Sequence, residues 1–170
     1  MIIVVFGLPG SGKSYFAERL AKELNADYVN SDRVRKEMFP VRTYSDQEKA
    51  AVYNVMLERM NEVLKQNRSV VLDATFHGIE ARKMFAREVK GKDRICFIEI
   101  TADENLIRYR LNKERPYSEA NFDVYKLTRR QWEPLNEPHL LLESTDENID
   151  SMLQEATEYL KIKHDTRTNK

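Results

Sequence analysis

The sequence predicts a three-layer α/β domain built on a parallel sheet, and three observations carry that expectation. Short apolar runs alternate with helical stretches along the chain, the order that layers helices over a sheet. The runs IIVVF at 2–6 and ICFIEI at 95–100 are almost continuously hydrophobic, as strands buried on both faces must be. A glycine-rich loop follows the first run directly and opens into an amphipathic stretch at 15–24.

The strands are expected at 2–6, 28–30, 69–73, 94–100 and 139–143. The first run is too short for a signal-peptide core or a membrane span, and it feeds the loop, so it reads as a strand. Ser45 with Glu48 makes a capping-box pattern ahead of a helix reaching about residue 66, and Ser144 with Glu147 repeats the pattern before the last helix. Within the long helix Val52, Val55, Met56, Met60, Val63 and Leu64 recur at three- and four-residue steps, which makes one buried stripe. That helix is expected to cover an acceptor pocket. No repeat or linker divides the chain, so residues 1–162 are expected to form one domain, and the polar residues 163–170 a flexible tail.

Composition narrows the function classes. The 170 residues fit a single domain, and 41% hydrophobic with 33% charged residues suits a soluble globular protein. Twenty-eight basic residues balance 28 acidic ones, without the basic excess of a dedicated nucleic-acid binder. The single cysteine, Cys96, lies inside an apolar run and reads as core packing. One cysteine allows no internal disulfide, which points to a reducing, cytoplasmic setting with no membrane partner.

Residues 7–14 read GLPGSGKS, a complete GxxxxGK[ST] pattern. Gly7, Gly10, Ser11 and Gly12 let backbone N–H groups turn inward around phosphates, and the following helix adds its positive end. Lys13 would reach the β- and γ-phosphate oxygens, and the Ser14 hydroxyl would ligate Mg²⁺. ATP and Mg²⁺ are the implied cofactors.

Other motifs decide what the cradle serves. Asn30-Ser31-Asp32-Arg33-Val34-Arg35 stands at the carboxyl end of the second strand, the edge that faces the ligand crevice in open parallel sheets. Asp32 there can accept the proton of an attacking hydroxyl, and its structural alternative is to cap the next helix. Arg35, one turn later, can pair with Asp32 or hold an anionic acceptor. Asp73 closes the apolar third strand, the place for a carboxylate near Mg²⁺. Between 108 and 130 seven basic residues stand against Glu114, Glu119 and Asp123. Arg108, Lys113 and Lys126 read as solvated helix face, whereas Arg110 and Arg115 flank the break at Pro116 and are expected to act as lid arginines.

The chain resembles the stand-alone family of P-loop kinases grouped with polynucleotide kinase, zeta toxin and chloramphenicol phosphotransferase. The resemblance rests on GLPGSGKS at 7–14, SDRVRK at 31–36, YSDQEKAAVY at 44–53, VVLDATF at 70–76, the Arg110/Arg115 pair and WEPLNEP at 132–138. It implies a P-loop NTPase fold with five parallel strands in the order 2-3-1-4-5, helices on both faces and a small lid. It also implies Asp32 as general base, Arg35 as an acceptor-side arginine, Asp73 as their supporting carboxylate and Arg82 on the acceptor side. Tyr15 replaces the threonine of the usual GKST, while the Mg²⁺ hydroxyl stays on Ser14.

The expected activity is therefore transfer of a γ-phosphate from ATP to a substrate hydroxyl, by a monomer or homodimer. The acceptor would be a small metabolite or, less favoured for a neutral chain, a nucleic-acid 5′-hydroxyl. The alternative is an NTP-hydrolysing switch or regulatory ATPase. No Asn-Lys-x-Asp guanine signature supports a GTPase, and intact Lys13, Ser14 and Asp32 argue against a degenerate module.

Overall fold

The apolar runs pair into one sheet because each is hydrophobic on both sides and can be buried only between two layers of helix. In the computed structural model, which describes residues 1–89, 94–113 and 117–165, the strands are β1 (Ile2–Phe6), β2 (Asp27–Asn30), β3 (Val70–Asp73), β4 (Ile95–Thr101) and β5 (Leu140–Glu143). They are all parallel and run in the order β2-β3-β1-β4-β5. The helices are α1 (Lys13–Glu23), α2 (Ser31–Met38), α3 (Asp46–Lys65), α4 (Ile79–Arg87), α5 (Glu104–Leu111), α6 (Phe122–Arg130) and α7 (Ile149–Asp165).

Alternating side chains of the strands feed two cores. Ile2, Val4 and Phe6 point to the face covered by α2, α3 and α4, where Val52, Met56, Met60 and Val63 form the stripe expected from their spacing. Ile3 and Val5 point to the opposite face, against Phe16 and Leu20 of α1 and Met152, Ala156 and Leu160 of α7. Cys96 is buried in this second core. A third, small cluster joins Ile107 and Leu111 of α5 to Tyr125 of α6 and Leu8 of the glycine loop. This α5–α6 unit rests beside the loop as a minor subdomain.

Two helix starts differ from expectation. Ser45 does cap α3, accepting from the Glu48 backbone N–H at 3.2 Å, yet the Glu48 carboxylate turns to the backbone N–H groups of Thr43 and Tyr44 instead of back to Ser45. Ser144 does not cap α7 at all. Its hydroxyl accepts from Arg110 Nη1 at 2.7 Å, and α7 begins later, after Asn148, whose carbonyl accepts from the Met152 N–H. The backbone of α7 runs to Asp165, past the boundary expected at residue 162.

Among the described residues Arg82 is the largest fully buried side chain. Its Nη1 donates to the Phe76 carbonyl at 2.7 Å, and its Nη2 donates to the Glu133 carbonyl. The guanidinium lies 5.2 Å from the centre of the Phe6 ring and 5.8 Å from that of Trp132. Phe76 itself is buried with φ at +43°, a region that bulky residues rarely adopt. The Arg82 bond and the packing of Phe76 on Tyr53 and Phe85 hold it there. Arg82, expected on the acceptor side, is thus a buried clamp between the β3–α4 turn and the 132–138 segment. Replacing it with methionine strands two carbonyls and should lower stability by on the order of 3 kcal/mol. Urea unfolding checks this: the midpoint should fall at unchanged slope, with ATP affinity of the folded protein preserved.

Candidate active site

Connections leave β1 and β3 in opposite directions, β1 through α1 to β2 and β3 through α4 to β4, which opens a crevice at their carboxyl ends. The glycine loop lies there. Gly12 takes φ +91°, and a Cβ on it would stand 2.7 Å from Ser144 Oγ and 3.1 Å from Arg110 Nη1. A Cβ on Gly7 would stand 2.3 Å from the Ile100 carbonyl oxygen, so the loop is pressed against β4 and tolerates no side chain at either place. Gly12 precedes α1 without a side-chain cap, and no acidic residue occupies the first turn of that helix. Its N–H groups and positive end are therefore available to an anion.

An open cleft of about 540 Å³ spreads from this helix end, lined by Gly12, Lys13, Ser14, Asp32, Arg110 and Ser118 among others. No residue of α3 lines it; α3 instead reaches this edge of the sheet through Glu48, which pairs with Arg35. The outer wall of the cleft comes from Glu18 on α1, Tyr28 on β2, Arg33 on α2 and Tyr117.

Asp73 is fully buried at the end of β3, in register with Asn30 on β2 and Val5 on β1. One carboxylate oxygen accepts from Tyr28 Oη at 2.7 Å and Asn30 Nδ2 at 2.5 Å. The same Tyr28 hydroxyl lies 3.5 Å from the Ser14 carbonyl, which sets the carboxylate under the first turn of α1. The other oxygen, Oδ1, is buried without a hydrogen-bond partner. Burial, with the Asp73 charge beside it, pushes the Tyr28 phenol far above its ordinary range, so it stays a donor.

Asn30 also settles the competing reading of Asp32. The Asn30 side chain caps α2, accepting from the Arg33 N–H at 2.9 Å, so Asp32 in the first turn is spared that task. Desolvation raises the Asp32 carboxyl above its ordinary value, and Asp73 adds to the rise. Lys13, Arg35 and a hydrogen bond from Ser118 oppose it without cancelling it.

Arg35 is nine-tenths buried, and its main partner is Glu48 on α3 at 2.8 Å, with side-chain exposures of 8% and 4%. Asp32 lies farther, at 3.4 Å. Burial works against the Glu48 charge, but bonds from Thr43 and from Arg35 hold its carboxyl below the usual range. Those bonds also fix Tyr44 at φ +56°. Glu48 reads in the sequence only as half of a capping box, and its ion pair with Arg35 has no local signal.

Arg110 is docked already. Its Nη1 donates to the Ser11 carbonyl at 3.3 Å, and its Nη2 pairs with Asp146 at 2.9 Å. It braces the glycine loop from α5 instead of arriving from a distance. Arg115 and Pro116 lie outside the described residues. Lys113, read as solvated, lines the cleft, whereas Arg108 and Lys126 make the surface pairs expected of them. His77 is half-buried at the α4 end.

A glycine cradle between a buried strand and an uncapped helix, with a carboxylate on the neighbouring strand, defines a P-loop nucleotide-binding domain. The chain belongs to the AAA-domain family, whose model matches residues 2–136. It is 31% identical over 132 residues to the bifunctional polynucleotide phosphatase/kinase of Schizosaccharomyces pombe, covering 74% of this chain and 28% of that one. The chain therefore spans less than a third of that protein. It is 23% identical over 160 residues to the shikimate kinase of Aliivibrio salmonicida, covering 93% and 84%. A sugar kinase from Janibacter shares the fold, with a TM-score of 0.72 at 17% identity over 95% of this chain and 94% of that one.

The raised Asp32 carboxyl has a consequence for stability. A folded-state value above 3.8 means that the fold is penalised as pH climbs through 3.8 and carries the full penalty once Asp32 is ionised. Asp32→Asn should therefore raise the thermal midpoint at neutral pH, and the gain should vanish below about pH 3–4 where both side chains are neutral. Calorimetric midpoints across that range check it. A gain that persisted at low pH would have another origin.

Proposed function

We propose that the chain is an ATP-dependent phosphotransferase that moves a γ-phosphate onto the hydroxyl of a small acceptor, in the cytoplasm. The observation that carries this reading is one cleft holding both Lys13, on the phosphate cradle, and an Asp32 carboxyl relieved of capping duty. The kinase names of the relatives support the same class. Among the described residues no helix is long and apolar enough to cross a membrane.

In this reading the loop N–H groups and the α1 terminus bind the triphosphate, and Lys13 neutralises charge where it grows on the transferring group. Asp32 accepts the proton of the attacking hydroxyl. Its raised carboxyl suits a base that must also release that proton after transfer. Arg35, held by Glu48, orients Asp32 and fixes the acceptor wall. Arg110 keeps the cradle in shape from α5, and Arg115 would complete the charge clamp.

The donor set fits Mg²⁺ as well. Among the described residues no cluster of three His, Cys, Asp or Glu side chains could cage a metal alone. Mg²⁺ commonly uses one or two protein oxygens together with substrate phosphates and waters. Ser14 would supply the hydroxyl, and the partnerless Asp73 Oδ1 would take a bond from the ion's water shell. When bound, the ion would act as a Lewis acid that neutralises phosphate charge.

Lys13→Ala should nearly abolish phosphoryl transfer at saturating ATP and Mg²⁺ while leaving the fold intact. Asp32→Asn should keep nucleotide affinity and lose acceptor-dependent turnover by roughly 10²–10⁴-fold, as loss of a general base does. Acceptors found by thermal shift with a non-hydrolysable ATP analogue supply the assay. If ATP turnover proceeds at the same rate with and without every stabilising acceptor, the chain is a hydrolase and the transferase reading fails.

A further inference from the structure

Two arginines follow Asp32 on α2, and they differ in how firmly they are held. Arg35 is buried and locked to Glu48 at 2.8 Å. Arg33 is only partly buried, lines the cleft with Asp32, and pairs through Nη2 with Glu18 on α1 at 2.8 Å. Its guanidinium stands 4.9 Å from the centre of the Tyr28 ring and 4.8 Å from that of Tyr117, and both rings wall the same cleft. Each ring is anchored. The Tyr28 hydroxyl donates to the buried Asp73 at 2.7 Å. Tyr117 lies two residues before Glu119, whose carboxylate accepts from Nε and Nη2 of Arg42 and from Tyr44 Oη. Lys36 brings a second cation to the spot, 5.4 Å from the Tyr117 ring.

A guanidinium presents five N–H donors in a rigid fork that matches the oxygens of a carboxylate or phosphate. The Glu18 contact uses one of the Arg33 nitrogens, and the Glu18 side chain is half exposed. Glu18 therefore displays the chemistry that fits this position, yet it holds the place weakly, because an exposed pair contributes little. A ligand oxyanion that engages the fork with two oxygens is the stronger partner. An acceptor hydroxyl at Asp32 also brings the rest of its molecule against the neighbouring wall. Adjacent residues stand about 3.8 Å apart along the chain, so one small molecule spans from Asp32 to Arg33. A neutral polyol has nothing to offer the guanidinium in exchange for Glu18.

We infer that Arg33 selects the acceptor: it binds the carboxylate or phosphate group of a small anionic alcohol in place of Glu18, while the hydroxyl of that alcohol lies at Asp32. The inference rests on the phosphotransferase reading above and names the acceptor class for the same cleft. Arg35, spent on Glu48, is not the anion reader. Glu18 is a built-in competitor, whose carboxylate covers Arg33 until an anionic acceptor displaces it. Tyr28 and Tyr117 keep the guanidinium in place through the exchange.

The test uses the full chain with a non-hydrolysable ATP analogue and Mg²⁺ in the cradle, so that added anions do not bind at Lys13. Glycerol, glycerate and glycerol phosphate are titrated against the guanidinium nitrogen NMR signal of Arg33, assigned by its loss in Arg33→Gln. Glycerate, glycerol phosphate or both should shift that signal saturably and glycerol should not, and the tighter anion tells carboxylate from phosphate. By thermal shift of the same complexes, Arg33→Gln should weaken anion binding by about tenfold or more. Glu18→Gln removes the competitor and should tighten it by about 2–5-fold. Opposite signs at two partners of one ion pair do not arise from a general loss of structure. A signal unmoved by both anions, moved equally by glycerol, or moved only by a 5′-hydroxyl oligonucleotide overturns the assignment, as does weaker anion binding in Glu18→Gln. Lys13-dependent transfer from ATP to glycerol, with Arg33 unmoved by the anions, overturns this inference alone. Anion binding at Arg33 without any Lys13-dependent ATP turnover overturns the phosphotransferase reading and, with it, the acceptor role of the site.

Discussion

A carboxylate with no solvent exposure must be repaid by its neighbours, and the Asp73 side chain sets the terms for the whole carboxyl edge of the sheet. Tyr28 and Asn30 both donate to one of its oxygens, so β2 can pair with β3 only in the register that brings Asn30 opposite Asp73. A one-residue slip would turn Asn30 to the other face and leave the charge unmet. The same Asn30 uses its amide oxygen to start α2, and this fixes where Asp32 and Arg35 project. Tyr28 reaches on to the first turn of α1, which couples the phosphate helix to that register. One buried charge thus aligns the cradle with the candidate base.

Two further buried cations hold the flanks. Arg35 and Glu48 join α2 to α3, and the free edge of the Glu48 carboxylate pins the 43–44 turn. Arg82 joins the β3–α4 turn to the 132–138 segment. Neither is replaceable by a hydrophobic residue without orphaning the groups it serves, since a buried donor or acceptor left unmet costs about 1–3 kcal/mol. These contacts tie loops, which carry little core of their own, to a rigid sheet.

The layers were legible because they depend on local pattern. Each of the five strands lies within a residue or so of its apolar run, and the Val52–Val63 stripe faces the core that its period requires. Strand order followed from the resemblance and not from any spacing in the chain. The cradle was legible for the same reason, as eight consecutive residues do its work. What the sequence hid are polar bonds between residues far apart in the chain, such as Tyr28 with Asp73 and Ser144 with Arg110. Ser144 and Glu147 have the spacing of a cap, but the Arg110 guanidinium claims the serine hydroxyl before the helix can. Arg82 shows a different limit. A matching position on a helix does not say which way the side chain points, and here it turns inward to carbonyls.

The cleft separates charges that can exchange partners from charges that cannot. Arg33 pairs with Glu18, with side-chain exposures of 35% and 49%. Such an exposed pair contributes roughly 0–1 kcal/mol, so an entering anion could replace Glu18 at little cost. Arg35 is different, because separating it from Glu48 would strand two charges at 8% and 4% exposure. It is therefore a fixed wall and not a hand that reaches for the acceptor. A chain with zero formal charge thus still presents a positive helix end at its cradle.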